Sequence, residues 1–290
     1  MKMRRHKRYF MSTYREVLRD ARDFLKKAGV AEYEVDAWYL FAHVFDINRA
    51  LFFLHEQDEC PEDKVSLYKK LLEKRAARIP LQYITGVQEF MGLEFEVNEN
   101  VLIPRQDTEI LVEEVLKVCK GRTVLDMCTG SGCIVISLAK YGDLKRAVGS
   151  DISEKALQVA VKNAEKMNVD VTFICSDLFE NIEGKYDIIT SNPPYIKSDE
   201  FLTLMPEVRD HEPKLALEAG TDGLIYYKRI INALPEFLNP GGRVFFEIGY
   251  DQGKAVSGLL AKAGFCDIYV KKDLSGLDRV VCAKAVSYME

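Results

Sequence analysis

From Thr123 onward, short apolar runs of strand length alternate with amphipathic helical stretches, and this alternation constrains the fold more than any other feature of the chain. Strand runs fall at 123–127, 147–151, 171–176, 186–191, 243–248, 266–270 and 279–283; helical periodicity fills the gaps at 132–140, 153–167, 223–237 and 253–263. Strands separated by helices pack as a mostly parallel sheet covered on both faces, here an α/β layer architecture of seven strands. Ligands of such sheets sit outside the carboxyl ends of the strands, so the turns that follow strands carry the candidate chemistry.

The chain before this region has a different period. From Ser12 to Arg78 the apolar residues recur at helical spacing, as in Val17, Leu18, Phe24 and Leu25 and in Trp38, Tyr39, Ala42 and Phe45, and Pro61 is placed to open a helix. Residues 1–78 are predicted to form a small helical domain, with Ser12 or Thr13 capping its first helix. Between Ile79 and Arg105 the period becomes two: Leu93, Phe95 and Val97 alternate with Glu94, Glu96 and Asn98 after a Met91-Gly92 turn. Residues 79–105 are predicted as a β-hairpin linker and 106–290 as the α/β domain, whose first helix Asp107 or Thr108 can cap.

Composition narrows the function classes. A formal net charge of −5 argues against general affinity for nucleic acid. The longest apolar runs are strand-sized and broken by charges, so no membrane span is expected. Seven cysteines without a Cys-x-x-Cys pair suggest reduced thiols in a cytoplasmic protein, and four scattered histidines with no His-x-x-x-His pair make a metal site unexpected. The basic run 1–10 lacks the apolar core of a signal peptide; a solvated end is favoured over a tail that touches nucleic acid, and Met11 is an alternative start.

Two turns stand out. Cys128-Thr129-Gly130-Ser131-Gly132 follows the first strand and opens a helix, where glycines let a ligand approach the backbone and the helix N-terminus favours an anionic group. Val135 stands where a dinucleotide fingerprint wants Gly or Ala, and no Gly-Lys-Ser/Thr follows, so neither a dinucleotide nor a triphosphate loop is indicated. The next strand ends in Asp151, about 20 residues further on, where a carboxylate can hold ribose hydroxyls or, alternatively, help cap the helix near Ser153. The strand after it ends in Asp177-Leu178, which either meets an adenine amino group and covers its ring or is an ordinary turn.

The second turn is Asn192-Pro193-Pro194-Tyr195, after the buried run 186–191. Adjacent prolines fix φ and donate no N–H, so the carbonyls around them are rigidly aimed. The Asn192 oxygen and the Pro193 carbonyl can accept both hydrogens of an –NH2 group while Tyr195 lies against its flat face, which suits an amide or an amino-base.

With both turns present, the chain resembles a class I S-adenosylmethionine-dependent methyltransferase of Rossmann-like fold. It is more narrowly similar to the release-factor glutamine methyltransferases, the HemK/PrmC family. The resemblance spans the helical domain, Thr85-Gly86, Ile103-Pro104-Arg105-Gln106-Asp107-Thr108-Glu109, the glycine loop, Asn192 to Tyr195, and Glu212-Pro213-Lys214-Leu215-Ala216-Leu217. It implies that S-adenosyl-L-methionine is bound by the loop residues Cys128, Thr129, Gly130, Ser131 and Gly132 and by Asp151, with Asp177 and Leu178 near its adenine. It also implies that Asn192, Pro193, Pro194 and Tyr195 hold a substrate glutamine, Asn192 lying close to the cofactor as well. Cys128 stands where such loops generally carry Gly, and Gln106 where they often carry Pro; the Cβ at Cys128 bears on the loop's fine geometry.

The implied reaction is methylation of the side-chain N5 of the glutamine in the Gly-Gly-Gln loop of a class 1 peptide chain release factor. A monomer without direct nucleic-acid or membrane contact is expected, the helical domain serving substrate recognition. An amide nitrogen is a poor nucleophile, so aiming it and accepting both of its N–H bonds is the protein's task, and no strong general base is needed. The enzymatic alternative is an N6-adenine methyltransferase acting on DNA or RNA, which the acidic balance and the lack of a basic, aromatic-interleaved segment oppose. A non-catalytic module that binds the cofactor is the third reading.

Overall fold

The computed structural model describes residues 12–286; the basic run 1–10 and the alternative start Met11 lie outside the described residues. The chain divides between Thr85 and Gly86 into two compact units.

The first unit consists of α1 (Tyr14–Lys27), α2 (Tyr33–Phe45), α3 (Arg49–His55), α4 (Glu62–Ala76) and α5 (Leu81–Thr85). Thr13 caps α1 in a reciprocal box with Glu16, as its sequence position predicts, and α4 begins directly after Pro61. Trp38, Phe41, Phe45, Phe52 and Tyr68 form an aromatic core in which Phe41 and Phe45 stack at 4.3 Å. A buried Arg75–Asp36 pair at 2.6 Å joins α4 to α2.

The second unit opens with the hairpin β1 (Val87–Phe90) and β2 (Leu93–Glu96), then a 3₁₀ turn (Gln106–Thr108) and α6 (Glu109–Leu116). The sheet elements follow: β3 (Thr123–Met127), α7 (Cys133–Tyr141), β4 (Arg146–Asp151), α8 (Glu154–Met167), β5 (Thr172–Cys175) and β6 (Tyr186–Ser191). After two short helices, α9 (Ser198–Phe201) and α10 (Pro206–His211), and a second 3₁₀ turn come α11 (Ile225–Phe237), β7 (Leu238–Glu247), α12 (Gly253–Lys262), β8 (Cys266–Lys272) and β9 (Asp278–Lys284).

The segment expected to be a linker thus divides. Residues 81–85 are a helix of the first unit, whereas the hairpin belongs to the second, where Phe90 and Phe95 are buried in the sheet's core cluster. Buried Asn163 of α8 fixes it there: its Oδ1 accepts from Glu96 N at 2.7 Å and its Nδ2 donates to Glu96 O at 3.1 Å. The expected cap of α6 is also different. Neither Asp107 nor Thr108 caps it, because the chain enters through the 3₁₀ turn, and the Asp107 carboxylate turns instead to Arg279, 3.2 Å away.

The seven strands lie in the order β5-β4-β3-β6-β7-β9-β8, parallel except for β9, which is antiparallel to both its neighbours. Chain direction through the sheet reverses beside β3, the switch point at which such folds bind ligands. At the carboxyl ends Met127 lies level with Ser150 and Ser191, and Ser191 with Phe246, so the turns after β3, β4, β6 and β7 leave from one rim. Among the described residues, no helix is long and apolar enough to cross a membrane.

Candidate active site

The loop after β3 is built on left-handed backbone. Cys128, Gly130 and Gly132 have φ of 58°, 55° and 80°, a region that a side chain at the first of these tolerates at a cost of about 1–2 kcal/mol. Asp126, wholly buried in β3, braces the loop from below: it accepts from Thr129 Oγ1 at 2.6 Å and from Thr190 Oγ1 at 2.8 Å. Burial pushes its carboxyl up to about 7 against the pull of those two hydroxyls. Thr129 N also donates to Ser150 O at 3.0 Å, which locks the loop to β4.

Asp151 closes the other side. One carboxylate oxygen accepts from Gly130 N at 2.9 Å and the other from Ser153 N at 2.9 Å, while Ser153 Oγ caps α8 through Ala156 N. The carboxylate therefore meets the glycine loop and supports the helix start at once. Burial raises its pKa, opposed by the N–H groups of Ser153, Gly130 and Ile152.

A single cavity gathers most of the residues singled out in the sequence. Cys128, Thr129, Gly130, Ser131, Asp151, Asp177, Leu178, Asn192 and Pro194 all line it. Burial raises the Cys128 thiol, so it stays protonated. Leu178 sits at φ 52°, a second side chain held in the left-handed region on the cavity wall. Asp177 is held by Arg229 Nη2 at 2.9 Å.

Three of the named residues are placed elsewhere. Gly132 does not line the cavity; a Cβ there would come within 2.7 Å of Ile136 Cδ1 and 3.2 Å of Ala160, so the glycine answers to the packing of α7 on α8. Pro193 is buried beside the cavity wall without lining it. The Tyr195 ring packs against the core, and its hydroxyl donates to Glu247 Oε1 at 3.4 Å instead of facing the cavity.

Several residues of this site carried no role in the sequence reading. Arg105 lines the cavity and donates to Glu212, whose side chain is buried and whose second oxygen accepts from Ile103 N at 3.2 Å. Glu247 is buried at the end of β7, and burial raises it to about 7 against Thr108, Arg279 and Tyr195. The signal for Asp126 and Glu247 was present: each is an acidic residue inside an otherwise apolar strand run, and an ion there needs polar partners.

S-adenosylmethionine fits this residue set. A Cβ at Gly130 would meet nothing within 4 Å, so the loop backbone borders open space, and Asp151 offers carboxylate oxygens beside it for hydroxyl groups. Ile134, Ile152 and Leu178 supply apolar wall for a flat base. When bound, this cofactor supplies an electrophilic methyl group on a sulfonium.

The comparisons with known proteins agree. Residues 16–86 match the model of the PrmC N-terminal domain, and residues 105–207 that of the methyltransferase small domain. The release factor glutamine methyltransferase of Geobacter sulfurreducens is 40% identical over 271 residues, spanning 93% of this chain and 95% of its own length. The enzyme of the same name from Cereibacter sphaeroides is 41% identical over 271 residues, spanning 93% of this chain and 97% of itself. A solved methyltransferase from Pyrococcus furiosus, 19% identical, shares the fold with a TM-score of 0.54 over 74% of this chain and 99% of its own. The chain belongs to the family of release factor glutamine methyltransferases.

Proposed function

We propose that this chain transfers a methyl group from S-adenosyl-L-methionine to the side-chain amide nitrogen of the glutamine in the Gly-Gly-Gln loop of a class 1 peptide chain release factor. The observation that carries this reading is the placement of Asn192 and Pro194 on the same cavity wall system as the glycine loop and Asp151, in a member of this family. Asn192 leaves β6 level with the end of β3, so a glutamine amide held there lies next to the group that the loop holds. The Asn192 side-chain oxygen, on the cavity wall, and the backbone carbonyl of Pro193, whose side chain is buried beside that wall, accept the two amide hydrogens, which orients the nitrogen lone pair and favours positive charge on nitrogen as the new bond forms. Asp151 holds the ribose hydroxyls, Leu178 covers the adenine, and the loop 128–132 borders the amino-acid end. A carboxylate in place of the amide would meet two acceptors with two more, so glutamate is rejected by roughly 10⁴ or more.

The helical unit is assigned to release-factor recognition. Arg15, Arg19, Arg22 and Arg49 line a surface cleft with Trp38, Phe52 and Phe53, a mixture of cationic and aromatic groups typical of protein-binding surfaces.

Purified protein incubated with methyl-labelled S-adenosylmethionine and a release factor, its Gln-to-Ala loop variant, or a mixture of DNA and RNA tests the reading. Label on the wild-type factor alone is expected. Label on nucleic acid would replace this reading with adenine methylation, and cofactor binding without any label would leave a non-catalytic module. Deletion of the residues before Ile79 is expected to abolish activity on intact factor.

A further inference from the structure

Gln252 occupies a position that the reaction chemistry does not require of it. It stands at the start of α12, 5% exposed, with no titratable function and no part in the cavity wall. Its side chain is nevertheless fully engaged. Nε2 donates to Tyr195 O at 3.0 Å and to Gly223 O at 3.2 Å, and Oε1 accepts from Gly249 N at 3.0 Å. One amide thus joins the turn after β6, the turn before α11 and the turn after β7.

The turn before α11 is shaped around this contact. Gly223 has φ 68°, and a Cβ on it would stand 2.6 Å from Tyr195 O and 2.7 Å from Gln252 Nε2. The chain following Tyr195 is tied down in the same place: Ile196 N donates to Leu217 O at 2.9 Å, and Ala219 N to Ile196 O at 2.8 Å. On the other side, Ser191 is fixed by β-pairing to Met127 and Phe246. Asn192, Pro193 and Pro194 therefore span a short gap between two anchors, and two of the three have no freedom in φ. Where the Pro193 carbonyl and the Asn192 side chain point is set by the anchors.

We infer that Gln252 is a positioning residue for methyl transfer: its amide holds the carboxyl end of the Asn192–Tyr195 turn and thereby aims the acceptors that grip the substrate amide. The inference rests on the function proposed above. A carboxylate at this position has the same shape but no donor, and it would repel both carbonyls that Gln252 now serves.

The test is Gln252→Glu, compared with wild type on the release factor. Because misplacement of a reacting group by an ångström costs about 10²-fold, kcat is expected to fall roughly 10- to 100-fold. The affinity for S-adenosylmethionine, measured by calorimetry, is expected to stay within about twofold, since Asp151 ends β4, beyond β3 from this clamp, and the Gln252 amide bonds to Tyr195, Gly223 and Gly249 and not to the loop 128–132. Hydrogen exchange at the Ile196 and Ala219 amides should speed up. Unchanged kcat, or cofactor affinity lost in parallel with kcat, overturns the inference. Should Gln252→Glu not fold, Gln252→Met, of similar length and without donors, is read by the same criteria. Failure of wild type to label any release factor would instead remove the proposed function, and the exchange of Ile196 and Ala219 in the variant still decides whether Gln252 holds the turn.

Discussion

Arg105 and Glu212, 107 residues apart in sequence, form an ion pair in which the carboxylate is 1% exposed and the guanidinium 39%. The asymmetry of burial sets an asymmetry of consequence. Arg105→Ala leaves a buried carboxylate without its cation and is expected to cost about 3 kcal/mol of stability. Glu212→Gln leaves an arginine that turns to water and is expected to cost about 1 kcal/mol. Urea denaturation of both variants checks this; a larger loss for Glu212→Gln would mean that the charge on Arg105 is the buried partner.

Cys128 holds a conformation that glycine adopts freely, at φ 58°. In Cys128→Gly the relief of left-handed strain is offset by the greater freedom of an unfolded glycine, so stability should change by less than about 1 kcal/mol. Cys128→Val adds branching at Cβ in the same conformation and should cost about 1–2 kcal/mol more. Equal melting temperatures for the two variants would show that the loop relaxes its backbone at this residue.

The two glycines of the loop are expected to fail differently. Gly132→Ala drives a methyl group into Ile136 and Ala160 and should lower stability by about 2–3 kcal/mol, cofactor affinity falling only as the fold does. Gly130→Ala meets open space, so it should cost only about 1 kcal/mol of stability while filling the face toward the cavity and weakening cofactor binding. Thermal unfolding with and without S-adenosylmethionine separates the two.

Asn192→Ala removes one acceptor of the substrate amide. Loss of a single transition-state hydrogen bond predicts a fall in kcat on the order of 10²–10³-fold with cofactor affinity retained. A rate near that of wild type in single-turnover assays would take Asn192 out of the mechanism.

Asp126 and Glu247 give the fold a pH dependence of definite sign. Each has a folded-state pKa of about 7, above its ordinary value of 3.8 or 4.5, so between those limits the folded chain binds more protons than the unfolded one. Stability from these two groups therefore falls as pH rises from about 4 to 7 and levels off above. Carboxylates held low, such as Asp187 by the Thr123 N–H and the Asn239 amide, act oppositely and lose their contribution only in stronger acid. Glu247→Gln should accordingly gain on wild type by on the order of 2–3 kcal/mol between pH 5 and pH 8 in denaturation experiments. A constant difference across that range would mean that Glu247 ionises normally.

The two central strands, each buried at all but one position, read clearly in sequence. The runs at 123–127 and 186–191 coincide with β3 and β6. β7 was read as starting at Arg243, yet it begins at Leu238, because Pro240-Gly241-Gly242 has the composition of a turn while Leu238 pairs with Tyr186 across a break in register. Helices α9 and α10, of four and six residues, are too short to show a period. The glycine loop and the Asn192 turn were visible because their chemistry is local. Glu247 shows in sequence only as an acid in an apolar strand run, and Gln252 not at all, since they act on Tyr195 from 52 and 57 residues away and nothing near them in sequence declares the contact.

The insertion of β9 between β7 and β8 bears on how the molecule is made. As the chain leaves the ribosome, β3, β4 and β5 can pair among themselves, but β7 keeps a free edge carrying Val244, Phe245 and Phe246 until residues 278–284 arrive. Arg279, which reaches Asp107 and Asp273 at the rim of the sheet, is delivered by that same late strand. A nascent chain therefore presents a sticky edge to chaperones and a half-built catalytic rim at the same time, and a single closing event removes both.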